Sequence, residues 1–237
     1  MKTLSLIIPC YNEASNLPLL INRCNDILKE RDGIEIVIVD NGSNDESSEV
    51  LDKLLKNQKL IKRAKVEVNQ GYGYGILTGL RVAEGEILGW THADMQTDLR
   101  DALKGLKLFD KLENPERVFV KGKRYGRPFF DVFFTIGMAI FETILLRKVM
   151  WDINAQPTMF HKTFFQKWSS PPNDFSLDLY AYYKAKVSSL EIKRFPVLFG
   201  QRAHGTSHWN VSFSAKVRFV KRTLLYSFAL QKRSKRE

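Results

Sequence analysis

Polar and ionisable side chains follow an apolar run in the stretch ILGWTHADMQTD, residues 87–98. The run ends at Trp90, and His92, Asp94 and Gln96 come next at every second position. A carboxylate and an amide oxygen two residues apart on a turn can hold one edge of a hard divalent cation, because Mg²⁺ and Mn²⁺ share their coordination with phosphate oxygens and water. The alternative is a loop carboxylate that only caps a helix beginning near Asp98. Spacing alone leaves both interpretations open.

Strands that alternate with helices place this stretch at the edge of a sheet. Short apolar runs predict strands over residues 4–8, 34–39, 66–68 and 86–90. Helical periodicity predicts helices over residues 17–28, 45–57 and 75–83. This order predicts an α/β fold with a mostly parallel sheet flanked by helices, which binds ligands beyond the carboxyl ends of its strands. Polar residues directly past the predicted strands should therefore meet at one rim: Tyr11, Asp40, Asn69 and Asp94.

The second half of the chain has a less regular pattern. It predicts strands over residues 118–120 and 191–199 and helices over residues 129–150 and 178–185. From residue 216 onward, apolar residues at helical spacing are interleaved with Lys and Arg. We therefore expect one domain over residues 1–212 and a basic amphipathic C-terminal helical extension over residues 213–237.

Composition and charge restrict the class of protein. The 237 residues are 44% hydrophobic and carry a formal charge of +11, which points to an anionic partner. Cys10 and Cys24 show no metal-ligand spacing, and the N-terminal residues contain no signal-peptide core, so we expect a reducing, cytoplasmic location. Asp131 and Glu142 interrupt the most apolar segment, residues 129–150, and no membrane-spanning segment is predicted.

Four segments occur in the order of a known family. They are IIPCYNE (7–13), IVIVDNGSNDES (36–47), NQGYGYGILTGLRVAEGEILGWTHADMQ (69–96) and RAHGTS (202–207). Over essentially its whole length the chain resembles glycosyltransferase family 2, the inverting sugar transferases with the GT-A fold. Within that family it is most similar to polyprenyl-phosphate sugar transferases of the dolichyl-phosphate mannose synthase type.

The resemblance implies a set of nucleotide-sugar contacts. Pro9, Tyr11 and Glu13 match the first-strand motif that packs around the base and ribose of the donor, and Asp40 matches the acid that hydrogen-bonds the base. Asn41 replaces the second acid of that pair. The family's glycine turn after the third strand is matched by Asn69, Gly71 and Gly73.

The resemblance also implies a metal site and two phosphate-binding segments. The family shows Asp-Ala-Asp where this chain has His92, Ala93 and Asp94, so Mn²⁺ or Mg²⁺ would rest on Asp94 and Gln96. An imidazole at His92 would favour Mn²⁺ if it coordinates. The basic end of the fifth strand supplies Lys123 and Arg124 for the donor. The family's phosphate loop is matched by Arg202 and Ser207, with His208 where Lys is usual, and these residues would bind the acceptor phosphate.

The acceptor decides whether the reaction needs a general base. A phosphate is already an anion, with a second pKa of about 6, whereas a sugar hydroxyl requires a carboxylate within reach. The resemblance implies transfer to polyprenyl phosphate, assisted by Asp94 and Arg202. Two alternatives remain: transfer to a hydroxyl of a lipid-linked or surface glycan with Asp174 as base, and a non-catalytic nucleotide or nucleic-acid binding module. Asp174 has a second interpretation as a helix N-cap, and Asp178 more closely matches the acid at this helix start in the phosphate-acceptor branch.

Charge and hydropathy also bear on location. A +11 chain with an apolar segment at residues 129–150 and a basic amphipathic tail resembles a protein that rests on an anionic bilayer. The alternative is that the segment is buried in the core. We expect peripheral attachment at the inner membrane face, with a nucleotide sugar and a lipid-linked acceptor as partners and no nucleic acid.

Overall fold

The computed structural model describes residues 3–110, 112–200 and 213–234. The strands of this part of the chain are β1 (Leu4–Cys10), β2 (Ile34–Asn41), β3 (Ile61–Val66), β4 (Ile87–Trp90), β5 (Val118–Tyr125), β6 (Thr158–His161) and β7 (Glu191–Leu198). The helices are α1 (Leu17–Glu30), α2 (Ser47–Leu55), α3 (Tyr72–Val82), α4 (Arg100–Lys107), α5 (Phe129–Leu146), α6 (Lys162–Phe165), α7 (Ser176–Val187) and α8 (Phe213–Ser234).

The strands described form one sheet in the order β3-β2-β1-β4-β6-β5-β7. The first four strands along the chain are mutually parallel, β6 is antiparallel to both β4 and β5, and β5 is parallel to β7. Two successive reversals leave β5 and β7 pointing the same way as β4. The carboxyl ends of six strands therefore share one rim, and the mostly parallel α/β sheet expected from the sequence is confirmed.

Several predicted element bounds were wrong. β3 covers Ile61–Val66 and not residues 66–68, because it is an edge strand of sequence IKRAKV in which the middle four side chains are only partly covered. α3 begins at Tyr72, three residues before the predicted start, because Gly71 and Gly73 let the chain wind close to a neighbouring loop. β6 has only four residues, too few for a periodicity signal, and was not predicted.

Each central strand is buried on both faces, which divides the core into two clusters. The cluster beneath α1, α2 and α4 includes Leu6, Ile8, Leu20, Ile38 and Met95. The cluster beneath α3 and α7 includes Ile7, Val39, Leu77, Trp90 and Phe160. Burial on both faces explains why the strands appear in the sequence as continuous apolar runs.

Helix α5 leaves much of its apolar surface exposed. Phe129, Phe130, Phe133, Ile140 and Ile144 are each more than half exposed. Among the residues described, α5 is the one helix long and apolar enough to cross a membrane, with a mean hydropathy of 1.9 and only 17% of its length buried. By length and composition α5 therefore meets the requirements of a membrane-spanning helix, contrary to the expectation from Asp131 and Glu142.

A buried carboxyl joins α5 to α8. Ser227 Oγ lies 2.5 Å from Glu142 Oε1 and 2.8 Å from the Thr223 carbonyl oxygen. The Ser227 hydroxyl is the donor in the bond to Glu142, so this hydrogen bond favours the charged carboxylate while burial favours the neutral acid. Burial raises the pKa of the Glu142 carboxyl from 4.5 to about 7, against a lowering by the Ser227 hydrogen bond.

Replacing Glu142 with glutamine should remove a loss of stability at high pH. A raised pKa means that the folded state holds the proton more tightly, so this contribution is fully present below about pH 4.5 and is lost as pH rises through about 7. Glu142→Gln should match the wild type in acid and exceed it by roughly 1–3 kcal/mol at pH 8, as measured by urea unfolding. The exposed Glu116→Gln is the control; equal pH profiles for Glu142→Gln and the wild type would contradict the interpretation.

Candidate functional site

The loop after β4 carries the expected metal ligands at the rim. Ala93 and Met95 are buried in the core cluster, and Met95 takes a left-handed backbone conformation with φ of 63°. Asp94 is 7% exposed, and its Oδ1 accepts a hydrogen bond of 3.2 Å from the Gln96 backbone N–H. The buried alternate residues anchor the loop to the sheet, which fixes the position of Asp94.

Gln96 is held by the chain that follows β7. Its Nε2 donates to the Gly200 carbonyl at 3.1 Å, and the Gly200 N–H donates to the Gln96 carbonyl at 2.7 Å. Because the amide nitrogen is engaged, Oε1 is the side-chain atom that remains to bind a cation. The contact also places residue 200, just before the predicted phosphate loop, directly beside the Asp94 loop.

The metal-ligand atoms that this loop offers suit a cation that also binds oxygen atoms of the substrate. Within the described ranges, no group of three or more His, Cys, Asp and Glu side chains could hold a metal ion. One carboxylate and one amide oxygen would leave most positions to phosphate and water, as Mg²⁺ and Mn²⁺ prefer. The same set is unsuited to a structural zinc ion, which takes four protein ligands.

His92 is part of an aromatic stack. Its ring lies 5.5 Å from that of Tyr72 at an interplanar angle of 25°, and Tyr72 stacks on Phe175 at 4.6 Å and 10°. Burial and the nearby charges of Asp178 and Asp94 raise the pKa of Tyr72 well above its usual range, so the phenol remains neutral. Tyr72 was not predicted as a site residue because α3 was predicted to begin after it.

A buried polar network lies beneath the stack and centres on Asp178. Its Oδ1 accepts from Trp90 Nε1 at 3.2 Å and from Gln156 Nε2 at 2.9 Å, and it lies 3.9 Å from Lys121 Nζ. Gln156 Nε2 also lies 3.2 Å from Tyr72 Oη, which links the network to the stack. Asp178 is thus a buried carboxylate that joins Trp90, Gln156 and Lys121.

Lys121 is fully buried within this network. Its Nζ donates to Thr158 Oγ1 at 2.8 Å and lies over the Tyr182 ring. Burial lowers the pKa of the Lys121 ammonium to about 7, although Asp178 raises it. In the sequence, Lys121 is one of several basic residues at the end of a strand. Nothing in that pattern indicates that its side chain is buried.

The loops after β1 and β2 meet at the expected donor side. The Asn12 N–H donates to Ser43 Oγ at 3.1 Å, the Glu13 N–H donates to Ser47 Oγ at 3.0 Å, and Asn44 Nδ2 lies 3.3 Å from Tyr11 Oη. These contacts bring the segments that hold Tyr11, Glu13 and Asp40 together. Pro9 lies near the end of β1, which runs beside β2.

Asp40 is fixed by three donors. It is 1% exposed and accepts from the Ser43 N–H at 3.2 Å, from Ser48 Oγ and from Arg63 Nη2 at 2.9 Å. Burial alone would raise the pKa of Asp40, but the hydrogen bonds from Ser48, Ser43 and Arg63 lower it below its ordinary value. The carboxylate is therefore charged and oriented before any ligand binds. The contact of Arg63 with Asp40 was not predicted, because β3, which carries Arg63, was predicted in the wrong place.

The glycine turn after β3 lies very close to the segment that precedes α7. Asn69 Oδ1 accepts from the Gly71 N–H at 2.9 Å, and Gly71 has a φ of 113°. A Cβ atom at Gly71 would lie 2.4 Å from the Asn173 carbonyl oxygen, so only glycine fits. Asn41 Nδ2 donates to the Gly71 carbonyl at 3.0 Å, a bond that the aspartate usual at this position in the resembling family could not make when ionised.

A cluster of partly buried cations lies at the end of β5. Arg124 donates to Asp152 from its backbone N–H and its guanidinium and packs over Phe199, while Lys123 is exposed. Arg127 Nη2 lies 3.9 Å from Asp152, and Arg194 Nη2 donates to the Asp152 carbonyl at 3.0 Å. Arg127 and Arg194 were not among the predicted residues. Arg202, Ser207 and His208 lie outside the described residues.

Asp174 is engaged at the start of α7. Its Oδ1 accepts from the Ser176 N–H at 2.9 Å, and its Oδ2 lies 3.1 Å from Arg222 Nε of α8. The first bond is the helix cap that was one of the two interpretations of this residue. The role of Asp174 as a base stays a prediction, but the geometry favours the cap.

Comparison with known proteins gives a family match and distant relatives. A family model described as Glycosyl transferase family 2 matches residues 5–175. An undecaprenyl-phosphate 4-deoxy-4-formamido-L-arabinose transferase of Pectobacterium atrosepticum is 37% identical over 101 residues, 40% of this chain and 30% of that protein. A dolichyl-phosphate beta-glucosyltransferase of Dictyostelium discoideum is 27% identical over 129 residues, 51% of this chain and 39% of that protein. The chain thus matches well under half the length of each curated relative.

Two solved structures are similar over nearly the whole chain. Glucosyl-3-phosphoglycerate synthase from Mycobacterium tuberculosis, in complex with Mn²⁺, UDP and glucosyl-3-phosphoglycerate, has a TM-score of 0.70 at 16% identity, covering 96% of this chain and 80% of that one. A mannosyltransferase from Pyrobaculum calidifontis, in complex with GDP-Man and Mn²⁺, has a TM-score of 0.66 at 21% identity, covering 97% and 64%. At these identities the likeness shows a shared fold.

Proposed function

This chain belongs to glycosyltransferase family 2, and we propose that it transfers a hexose from a nucleotide sugar to polyprenyl phosphate with inversion. The GT-A fold expected from the resemblance is confirmed. We infer the nucleotide-sugar donor and the lipid-phosphate acceptor from the geometry of the site and from the names of the relatives. Support comes from the names of two curated relatives, which act on undecaprenyl phosphate and dolichyl phosphate.

The observation that carries the proposal is the state of the carboxylates at the start of α7. Asp174 caps the helix and pairs with Arg222, and Asp178 is buried against Trp90, Gln156 and Lys121. A hydroxyl acceptor needs a carboxylate that can take its proton. An acceptor phosphate is already an anion near neutral pH and needs none. This geometry therefore favours a phosphate as the nucleophile.

The charge of the rim supports an anionic substrate. In the part of the chain that the structure describes, the four cations Lys121, Arg124, Arg127 and Arg194 lie around three carboxylates, those of Asp131, Asp152 and Asp178. Burial, together with the charge of Arg124, lowers the pKa of Arg127 and of Arg194, and the Nε atom of each is buried without a hydrogen-bond partner. A surplus of buried positive charge is costly unless an anion joins it. Phosphate groups of donor or acceptor would supply that anion.

Asp94 and Gln96 would hold Mn²⁺ or Mg²⁺, and a bound cation of this kind neutralises a departing diphosphate. Tyr11, Glu13 and Asp40 would bind the base and ribose, with Asn69, Gly71, His92 and Ala93 lining the donor site. Lys123, Arg124 and Arg202 would bind phosphate oxygens, and Ser207 and His208 would join Arg202 at the acceptor. The two structural neighbours are in complex with Mn²⁺ and a nucleotide or nucleotide sugar, which supports a divalent cation and a nucleotide-sugar donor for this chain.

The exposed face of α5 supports attachment to the cytoplasmic face of a membrane. Phe129, Phe130 and Phe133 are 76%, 82% and 69% exposed, an arrangement that costs free energy in water unless an apolar partner covers it. The charge of +11 suits anionic lipid headgroups. A polyprenyl acceptor is itself confined to the bilayer, so attachment would bring the rim to its substrate.

Transfer to a lipid phosphate tests the proposal directly. Purified protein with Mn²⁺ should move labelled sugar from one member of a panel of GDP- and UDP-sugars to undecaprenyl phosphate and not to undecaprenol. Asp174→Asn keeps an oxygen that can cap α7, so we expect transfer within about threefold of wild type, as for a cap-like change of ~0.5 kcal/mol. Transfer to undecaprenol that is abolished in Asp174→Asn would instead establish the hydroxyl-acceptor alternative. Failure with every donor would favour the non-catalytic binding module.

Binding to vesicles tests the membrane surface. Phe130→Ser with Phe133→Ser should weaken binding to phosphatidylglycerol vesicles by at least ~100-fold, because each buried phenyl ring contributes about 1.5–3 kcal/mol. Leu60→Ser with Val82→Ser, at exposed apolar positions away from α5, is the matched control and should bind as the wild type does. Equal flotation of both double variants with the vesicles would rule out α5 as the docking surface.

A further inference from the structure

Arg222 of α8 contacts two successive residues at the start of α7. Its Nε pairs with Asp174 Oδ2 at 3.1 Å, and its guanidinium carbon lies 5.9 Å from the centre of the Phe175 ring. The ion pair and the cation–π contact together hold the Phe175 ring against α8. Arg222 therefore fixes the position of Phe175 from outside the sheet.

Phe175 connects Arg222 to the loop after β4, which carries Asp94. It stacks on Tyr72 at 4.6 Å, and Tyr72 stacks on His92 at 5.5 Å. His92 is two residues before Asp94 in the loop after β4. Three ring planes in near-parallel contact thus connect α8 to the loop that carries the proposed cation ligand.

The backbone around Phe175 is also built against α3. The Tyr74 N–H donates to the Asn173 carbonyl at 2.8 Å, and a Cβ atom at Gly73 would lie 2.6 Å from the Asp174 carbonyl oxygen. Such close contact leaves no space for the start of α3 to shift without the segment before α7. A displacement of Asp174 and Phe175 would therefore move Tyr72.

The opposite side of α8 packs on α5, the helix with the exposed phenylalanines. Ser227 and Glu142 share a buried hydrogen bond, and Gln231 Nε2 donates to the Leu145 carbonyl at 2.8 Å. α8 thus lies between the proposed membrane surface and the aromatic stack. We infer that Arg222 is a positioning residue of the transferase, which sets His92 and the Asp94 loop through Phe175 and Tyr72.

This inference rests on the proposed function for its kinetic readout, and a second readout is independent of activity. Arg222→Ala should lower kcat by roughly 10–100-fold, because a displacement of about 1 Å in a site can cost that much, with a smaller change in the acceptor KM. The His92 imidazole signal in a proton–carbon NMR spectrum, assigned with His92→Gln, should also shift because its ring current from Tyr72 changes. Arg222→Lys, which keeps the ion pair but not the planar contact, should be intermediate.

Two further variants make the test decisive. Lys221→Ala removes a neighbouring exposed charge from the same helix and should leave both kcat and the His92 signal at wild-type values. Phe175→Leu keeps the Asp174 pair but removes the stack, and should reproduce Arg222→Ala even if that variant loosens α8. A wild-type kcat and an unmoved His92 signal in both Arg222→Ala and Phe175→Leu would overturn the inference. If the wild type transfers no sugar, the proposed function fails and the NMR signal still decides the role of Arg222.

Discussion

Replacing Asp94 with asparagine is expected to lower kcat/KM for sugar transfer by roughly 10³-fold, with little change in thermal stability. The asparagine Oδ1 can still accept the Gln96 N–H, which lies 3.2 Å from the aspartate oxygen, so the loop keeps its shape. What the variant loses is the negative charge that binds a divalent cation. Such an ion supplies several kcal/mol of stabilisation to charge that develops on a leaving group.

The measurement is a pair of titrations. Steady-state transfer and Mn²⁺ affinity, the latter from calorimetry in the presence of nucleoside diphosphate, should fall together in Asp94→Asn. Asp98→Asn is the control, since Asp98 is exposed in the same loop and its side chain accepts from the Arg100 N–H at 2.9 Å. An Asp94→Asn protein that retains more than about a tenth of the wild-type kcat/KM would remove Asp94 from the proposed metal site.

The convergence of the site at one rim could be predicted, because it depends on local signals. Apolar runs of strand length give β1, β2 and β4, and parallel strands joined by helices necessarily end on the same side. Polar residues after each run, such as Asp40 and Asp94, are therefore brought together whatever the details of packing. Even β3, predicted in the wrong place, leaves Asn69 at the rim.

Side-chain partners could not be predicted in the same way, because they join distant parts of the chain. Asp178 meets Trp90 and Lys121 only after β6 has been inserted between β4 and β5, and β6 is too short to be recognised. Lys121 in the sequence is one of several cations at a strand end, and nothing local marks it as buried.

The role of Asn41 illustrates the same limit. The sequence shows an amide where the resembling family has an acid, without saying what the amide does. The structure shows Nδ2 donating to the Gly71 carbonyl, thirty residues along the chain, in a turn where only glycine fits. The substitution and the glycine turn are two parts of one contact, which becomes visible only when β2 and α3 are packed together.

The second large effect is expected from Asp178→Asn, which should destabilise the fold by about 3–5 kcal/mol in urea unfolding. The variant leaves Lys121, fully buried and 3.9 Å from the lost charge, without its nearest anion. Because the pKa of Lys121 is lowered to about 7, the cost should be larger at pH 6, where the ammonium is charged, than at pH 9. Glu30→Gln, at the half-exposed pair with Arg100, should cost far less than Asp178→Asn.

The double variant Asp178→Asn, Lys121→Met tests whether the role of Asp178 is structural or catalytic. Without the Lys121 ammonium, the buried site no longer needs the negative charge of Asp178. The double variant should therefore be more stable than Asp178→Asn alone, with a coupling free energy of about 1–3 kcal/mol. If Asp178 only fixes Trp90, Gln156 and Lys121, sugar transfer at a temperature where the double variant is folded should return to within about tenfold of wild type. A folded double variant that stays inactive would mean that Asp178 acts on the acceptor, and the case for a nucleophile that needs no base would fail with it.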